Sequence, residues 1–168
     1  VEVETHFGST ETYTADYVLV CTGSNPIKPT KFDVDNDKIL DYKSILEITH
    51  IPRRLTIIGS GVNAIEYATT FAALGTRITI LSGREDFLTF IDHEIKEELR
   101  RSFKRQHINI KSGIAIQEVE YNSLRNYTEV RFKAKSGDQR LQVIETEHVL
   151  FLGGRKPNKI GKSTRLNS

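Results

Sequence analysis

The chain has 168 residues, 38% hydrophobic and 27% charged, and its 24 basic and 22 acidic side chains leave a net charge of +2. That balance describes one ordinary globular domain, or one carrying pieces of another, and gives no reason to expect a nucleic-acid partner. A single cysteine, Cys21, excludes a disulfide framework and a cysteine-rich metal site, and no apolar run approaches the roughly 20 residues of a membrane span.

The start, Val1-Glu2-Val3-Glu4-Thr5, is acidic and alternating, unlike a secretory signal. The lone thiol fits a reducing, cytoplasmic setting. The chain neither begins with methionine nor contains one, which points to a piece of a longer protein.

Val1–Glu4 and Glu11–Ala15 alternate around Gly8-Ser9 and predict a β-hairpin. Tyr17-Val18-Leu19-Val20-Cys21 is a continuous apolar run, the pattern of a strand buried on both faces, with Cys21 in a packing role at its end. Thr22-Gly23-Ser24-Asn25-Pro26 breaks it. Residues 30 to 41 are polar and irregular, as in a crossing linker. Asp41 is placed to cap a short helix through Ile48, stopped by Pro52.

Arg54–Ile58 is again a buried-strand pattern. Gly59-Ser60-Gly61-Val62-Asn63-Ala64 is a turn, and Ile65 to Leu74 predicts a helix with Ile65, Ala68 and Ala72 on its apolar face, ended by Gly75. Arg77–Leu81 is a second strand. Asp92 heads another helix, with Ile95, Leu99 and Phe103 at helical spacing, and Ile108–Ile110 is a third strand. From Ile114 to Thr146 the period changes to two, which predicts a three-stranded antiparallel meander. His148–Leu152 is a doubly buried strand, closed by Gly153-Gly154-Arg155-Lys156-Pro157-Asn158. These elements predict an α/β fold: a Rossmann-like parallel sheet with helices and an antiparallel β-meander.

The strand–glycine turn–helix–strand unit from Arg53 to Arg84 carries chemistry. A dinucleotide pyrophosphate bears about two negative charges, and a helix N-terminus offers unpaired N–H groups with roughly half a positive charge. Gly59 permits the tight turn, Gly61 lets the backbone approach phosphate, and the third small residue, here Ala64, lets helix and strand lie close. The alternative is a turn whose glycines serve packing only.

NAD-selective units place Asp or Glu at the end of the second strand to hold the ribose 2′-hydroxyl. This chain has Ser82-Gly83-Arg84 there, with no carboxylate until Glu85. Ser82 does not repel phosphate, and the Arg84 guanidinium suits a 2′-phosphate, so NADP is expected to be accepted alongside NAD. The competing reading of Arg84 is a solvated loop residue. Glu66, placed by this reading in the first helical turn, either complements the helix dipole or meets the nicotinamide end. His50, His93, His107 and His148 form no cluster in sequence and read as surface or packing residues.

Three segments carry a resemblance to a family. Val20-Cys21-Thr22-Gly23-Ser24-Asn25-Pro26 is similar to an A-T-G-S-x-P segment, Gly59 to Ala68 to G-x-G-x-x-G-x-E-x-A, and Gly154-Arg155-Lys156-Pro157-Asn158 to G-R-x-P-N. In type, order and spacing, to about Gly161, they resemble the two-dinucleotide-binding-domain flavoprotein disulfide reductases. Leu88-Thr89-Phe90-Ile91-Asp92, Glu94 and Arg84 resemble the loop of a branch that moves hydride between NADPH and NAD through FAD without disulfide chemistry.

The resemblance implies the three-layer FAD/NAD(P)-binding fold. Residues 1–41 would be the trailing part of an FAD-binding domain and a linker, 42–154 an NAD(P)-binding domain, and 155–168 the start of the return to the FAD domain and a tail. Gly59, Ser60, Gly61, Val62, Asn63, Ala64 and Glu66 would contact NAD or NADP. Ser82 and Arg84 would meet the adenosine ribose, Ile116 the adenine and Gly154 the nicotinamide side. Thr22 and Gly23 would touch FAD in the full-length protein, a homodimer whose remaining FAD and interface domains lie outside this chain. Val62 stands where some relatives carry a tyrosine lid. No catalytic residue and no metal ligand is assigned, so the chain alone is expected to be inactive. A dithiol-using sister such as dihydrolipoamide dehydrogenase, and a non-catalytic nucleotide-binding module, are the alternatives.

Overall fold

The structure, a computed structural model, describes residues 1–158. They fall into two compact units: Val1–Ser24 with Pro157 and Asn158, and Asn25–Lys156. Residues 159–168, which include Gly161 and most of the expected return segment, lie outside the described residues.

In the first unit β1 (Glu2–Glu4) and β2 (Thr10–Thr12) form the predicted hairpin, antiparallel, with Val3 opposite Glu11. Its loop is tied by the Gly8 amide to the Thr5 carbonyl at 2.9 Å. The next segment corrects the sequence reading. Tyr17–Cys21 is not a strand, and Tyr17 and Leu19 are 93% and 88% exposed. Cys21 is exposed too, so its expected packing role is not met. A strand buried on both faces needs a ladder neighbour and covering layers. None pairs with this run among the described residues, and apolar composition cannot supply one.

The second unit begins within β3 (Ser24–Pro26). The expected linker is more than a linker. The Asp35 carboxylate accepts from the amides of Asp37, Lys38 and Ile39, at 2.8, 2.8 and 2.7 Å, and turns the chain into β4 (Ile39–Leu40). Asp41 then organises a single 3-10 turn, Ser44–Glu47: its carboxylate accepts from the Lys43 and Ser44 amides, while the Ser44 hydroxyl accepts from the Asp41 amide.

From there the pattern and the structure run together. β5 (Arg54–Ile58) leads to α1 (Val62–Ala73), β6 (Arg77–Leu81), α2 (His93–Arg105) and β7 (Ile108–Lys111). The meander is β8 (Ile114–Asn122), β9 (Tyr127–Ala134) and β10 (Gln142–Thr146); β11 (His148–Phe151) and β12 (Arg155–Pro157) follow. α1 starts three residues before the predicted Ile65. It ends in a Schellman closure, with the Gly75 amide on the Ala72 carbonyl, the Thr76 amide on the Phe71 carbonyl and Gly75 at φ 93°.

β4, β11, β5, β6 and β7, in that spatial order, make a five-stranded parallel sheet. Alternate residues of each strand face opposite ways, so the sheet builds two cores. Leu40, Leu55, Ile57, Ile78, Ile80 and Leu150 pack with Ala64, Ile65, Ala68 and Phe71 of α1 and Phe103 of α2. Ile39, Ile58, Leu81 and Val149 pack with Ile114, Val119, Val130 and Phe132 of the meander. The three-layer order, helices on sheet on meander, is the predicted one. α2 is less buried than its spacing suggests: Phe103 is core, Leu99 packs partly, and Ile95 is exposed. No helix of the described residues is long and apolar enough to cross a membrane.

His148 enters β11 only 3% exposed, its Nδ1 without a hydrogen-bond partner, and its ring lies 5.2 Å from that of His50. Two of the chain's five histidines are therefore neighbours. Burial, then the nearby Lys38 and His50, push the His148 pKa below its ordinary value. The unfolded chain takes up a proton that the folded chain refuses, so stability is full above the ordinary imidazole pKa of about 6.5 and is lost as pH falls below it. Urea unfolding across that window is expected to show this slope, and His148→Leu to flatten it.

Candidate functional site

The parallel sheet puts the carboxyl ends of β5, β6 and β11 on one edge, where open α/β sheets bind ligands. There the chain leaves β5 through Gly59. Its amide donates to the Leu81 carbonyl at 3.0 Å, and the Leu152 amide donates to the Ile58 carbonyl at 2.8 Å. Gly59 has φ 135°, and a Cβ on it would lie 2.8 Å from the Leu152 carbonyl carbon and closer still to its oxygen. Position 59 is thus held to glycine by the fold itself.

Gly61 differs. Its φ is −81°, open to any residue, and a Cβ there would meet nothing within 4 Å. It is the N-cap of α1, and no side chain caps the helix. The amides of Val62, Asn63 and Ala64 therefore open the helix without side-chain partners, at the positive end of its dipole. The fold gives no reason for glycine at 61; a group bound against the turn would.

Two clefts meet at Gly61. One, about 350 Å³, runs along Gly59, Ser60 and Gly61 to Gly83, Arg84, Ile114, Ile116 and Gly154. The other, about 230 Å³, is lined by Gly61, Val62, Asn63, Ala64, Gly154 and Arg155, with Tyr42 opposite the helix. Sequence reasoning missed Tyr42. The Arg155 guanidinium lies 4.2 Å from its ring centre, and the stretch around Tyr42 gave only the signal of a short capped helix.

Of the expected contact residues, Gly59, Ser60, Gly61, Val62, Asn63, Ala64, Arg84, Ile116 and Gly154 line these clefts. Ser82 and Glu66 do not. Ser82 is fully buried, its hydroxyl 2.7 Å from that of Ser60, donating to the Arg84 carbonyl and accepting from the Arg84 amide. It ties the glycine turn to the loop after β6. Glu66 is exposed, and because α1 starts at Val62 it stands in the second turn, where the dipole argument weakens.

Thr22 and Gly23 belong to the first unit. There the Thr22 hydroxyl donates to the Asn158 carbonyl at 2.8 Å, the Asn158 side-chain amide returns a bond to the Thr22 carbonyl at 2.8 Å, and the Asn158 amide donates to the Gly23 carbonyl at 2.9 Å. Two segments 136 residues apart are thereby joined.

The loop after β6 is also anchored to α2. Asp86 binds Lys96 at 2.7 Å and Arg100, and the Lys96 ammonium beside it holds its carboxyl below the usual carboxylate range. That carboxylate is therefore committed away from Arg84, whose side chain is exposed and forms no ion pair among the described residues. Among the described residues no cluster of histidine, cysteine and acidic side chains is arranged to hold a metal.

Residues 1–167 match the family described as pyridine nucleotide-disulphide oxidoreductase. A soluble pyridine nucleotide transhydrogenase of Mycobacterium bovis is 32% identical over 145 residues, which is 86% of this chain and 29% of that protein. One of Pseudomonas aeruginosa is 33% identical over 158 residues, 94% of this chain and 32% of that protein. The chain thus spans about a third of the length of the curated relatives it matches. Among solved structures, LpdA of Mycobacterium tuberculosis superposes with a TM-score of 0.77 at 25% identity, covering 95% of this chain and 33% of its own.

The two glycines separate by experiment. Gly59→Ala is expected to cost about 3 kcal/mol or more of stability, since it combines backbone strain with a clash against rigid main chain. Gly61→Ala is expected to stay within about 1 kcal/mol of the unaltered chain. Urea denaturation of both variants checks the contrast.

Proposed function

The chain belongs to the pyridine nucleotide-disulphide oxidoreductase family, and on that footing we propose that it is the nicotinamide-dinucleotide-binding part of a flavoprotein oxidoreductase that moves hydride between NADPH and NAD. The observation that carries this reading is Gly61: a glycine the fold does not require, at an uncapped helix N-terminus, where two clefts meet. A pyrophosphate seated there would accept from the amides of Val62, Asn63 and Ala64. The larger cleft, with Gly83, Arg84 and Ile116, would take the adenosine half. The cleft with Val62, Gly154, Arg155 and Tyr42 would take the nicotinamide half. Val62 is small enough to leave that side open.

Ser60 and Ser82 position the turn and the Arg84 backbone rather than reaching a ribose, and Glu66 belongs to the reading through the family resemblance alone. Asn25–Lys156 would be the NAD(P) domain, a wider span than the sequence reading; β4 pairs into its sheet, and β3 pairs with β12. Val1–Ser24 would belong to the FAD domain, with Thr22 and Gly23 at the flavin. Tyr17–Cys21 would then become a covered strand once the rest of that domain is present. FAD, when bound, supplies the hydride relay; this chain supplies binding and orientation. The transhydrogenase assignment draws on the names of the relatives; a cytoplasmic location and a homodimeric whole protein are expectations of the sequence reading alone.

Calorimetric titration of the chain tests the reading. NADPH and NADH are both expected to bind, with Arg84→Ala weakening NADPH about 10-fold and leaving NADH nearly unchanged. No NADPH oxidation is expected from the chain alone. Absence of binding by either dinucleotide at millimolar concentration would overturn the assignment.

A further inference from the structure

We propose that Lys135 is a second cation for the adenosine 2′-phosphate and so helps set which dinucleotide the chain prefers; the proposal rests on the dinucleotide reading above. Lys135 follows β9, on the antiparallel meander, 52 residues from the loop it touches. Its ammonium donates to the carbonyl oxygen of Gly83, the residue before Arg84. A Cβ on Gly83 would stand 3.7 Å from that nitrogen, and Gly83 lines the same cleft as Arg84. The backbone fixes the arrangement. The Lys135 amide donates to the Gly113 carbonyl at 2.8 Å, the Gly113 amide to the Arg84 carbonyl at 2.8 Å, and the Ile114 amide to the Ser82 carbonyl at 3.0 Å. The root of the lysine is therefore laddered to the loop that carries the arginine.

Charge decides what such a pair recognises. Neither Arg84 nor Lys135 forms an ion pair among the described residues. Asp86 is held by Lys96 and Arg100. Glu85, next to Arg84 in sequence, lies against Gly113, 2.6 Å from where a Cβ there would stand, and pairs with neither cation. One lysine donor is spent on the Gly83 carbonyl, which leaves two for an anion. A dianionic 2′-phosphate gains from both cations, whereas a 2′-hydroxyl gains little from either. The lysine thus acts on the difference between the two dinucleotides, which is what specificity requires.

The test titrates the unaltered chain, Lys135→Gln and Lys135→Arg with NADPH, NADH and 2′,5′-ADP, at low and high salt. Lys135→Gln is expected to weaken NADPH and 2′,5′-ADP about 5-fold, between the effects of an exposed ion pair and a charge-assisted hydrogen bond. NADH affinity should hardly move, the salt dependence of NADPH binding should flatten, and Lys135→Arg should restore most of the loss. Equal weakening of NADH and NADPH would make the lysine a loop clasp and overturn the proposal while leaving the dinucleotide reading intact; so would no change at all. If the unaltered chain binds no dinucleotide, both readings fall.

Discussion

The contact between Gly59 and the Leu152 carbonyl is the constraint on which the site depends. β5 and β11 are adjacent parallel strands, and both must leave the sheet at the same edge. They can do so only if one of them passes without a side chain, and a Cβ at position 59 would run into the main chain of Leu152. α1 begins at Val62, just past this crossing, and no side chain caps it. The chain leaving β11 is held beside the turn, so that Gly154 and Arg155 share a cleft with the helix N-terminus. The geometry that would accept a pyrophosphate therefore follows from strand packing.

Sequence periodicity made the interior of the larger unit legible. Arg54–Ile58 and Arg77–Leu81 are strands with the predicted bounds, because a parallel strand buried on both faces leaves an apolar run that few other structures share. The meander was readable for the opposite reason: its strands keep one wet face and alternate. What escaped depends on neighbours. Ile39–Leu40 is two residues in a polar stretch and becomes a strand only because β11 offers a free edge. Tyr17–Cys21 has the composition of a strand and, among the described residues, no partner. The start of α1 was misplaced because Val62, Asn63 and Ala64 carry no helical periodicity of their own.

The site was legible in the same uneven way. The glycine turn is local in sequence and was found there. Tyr42 lines one cleft and Lys135 touches the loop after β6 from the meander, and neither carries a motif; only the tertiary arrangement brings them in. The charge balance of the loop after β6 is likewise set by tertiary contacts. Sequence places Glu85 and Asp86 directly after Arg84, which looks like neutralisation. The structure sends Asp86 to α2 and lays Glu85 against Gly113, and the arginine keeps its charge.

The hydroxyl pair of Ser60 and Ser82 carries a consequence for the proposed choice between nucleotides. With the Ser82 hydroxyl proton committed to the Arg84 carbonyl, the Ser60 hydroxyl is the donor between the two oxygens. An aspartate in place of Ser82 would set an anion against a carbonyl oxygen, with no water to shield it. A swap toward a 2′-hydroxyl reader at this strand end would therefore have to remodel the loop after β6 as well. Under the proposed function, ligand choice would change more readily at the exposed rim, where Arg84 stands, than through an acid at its buried root.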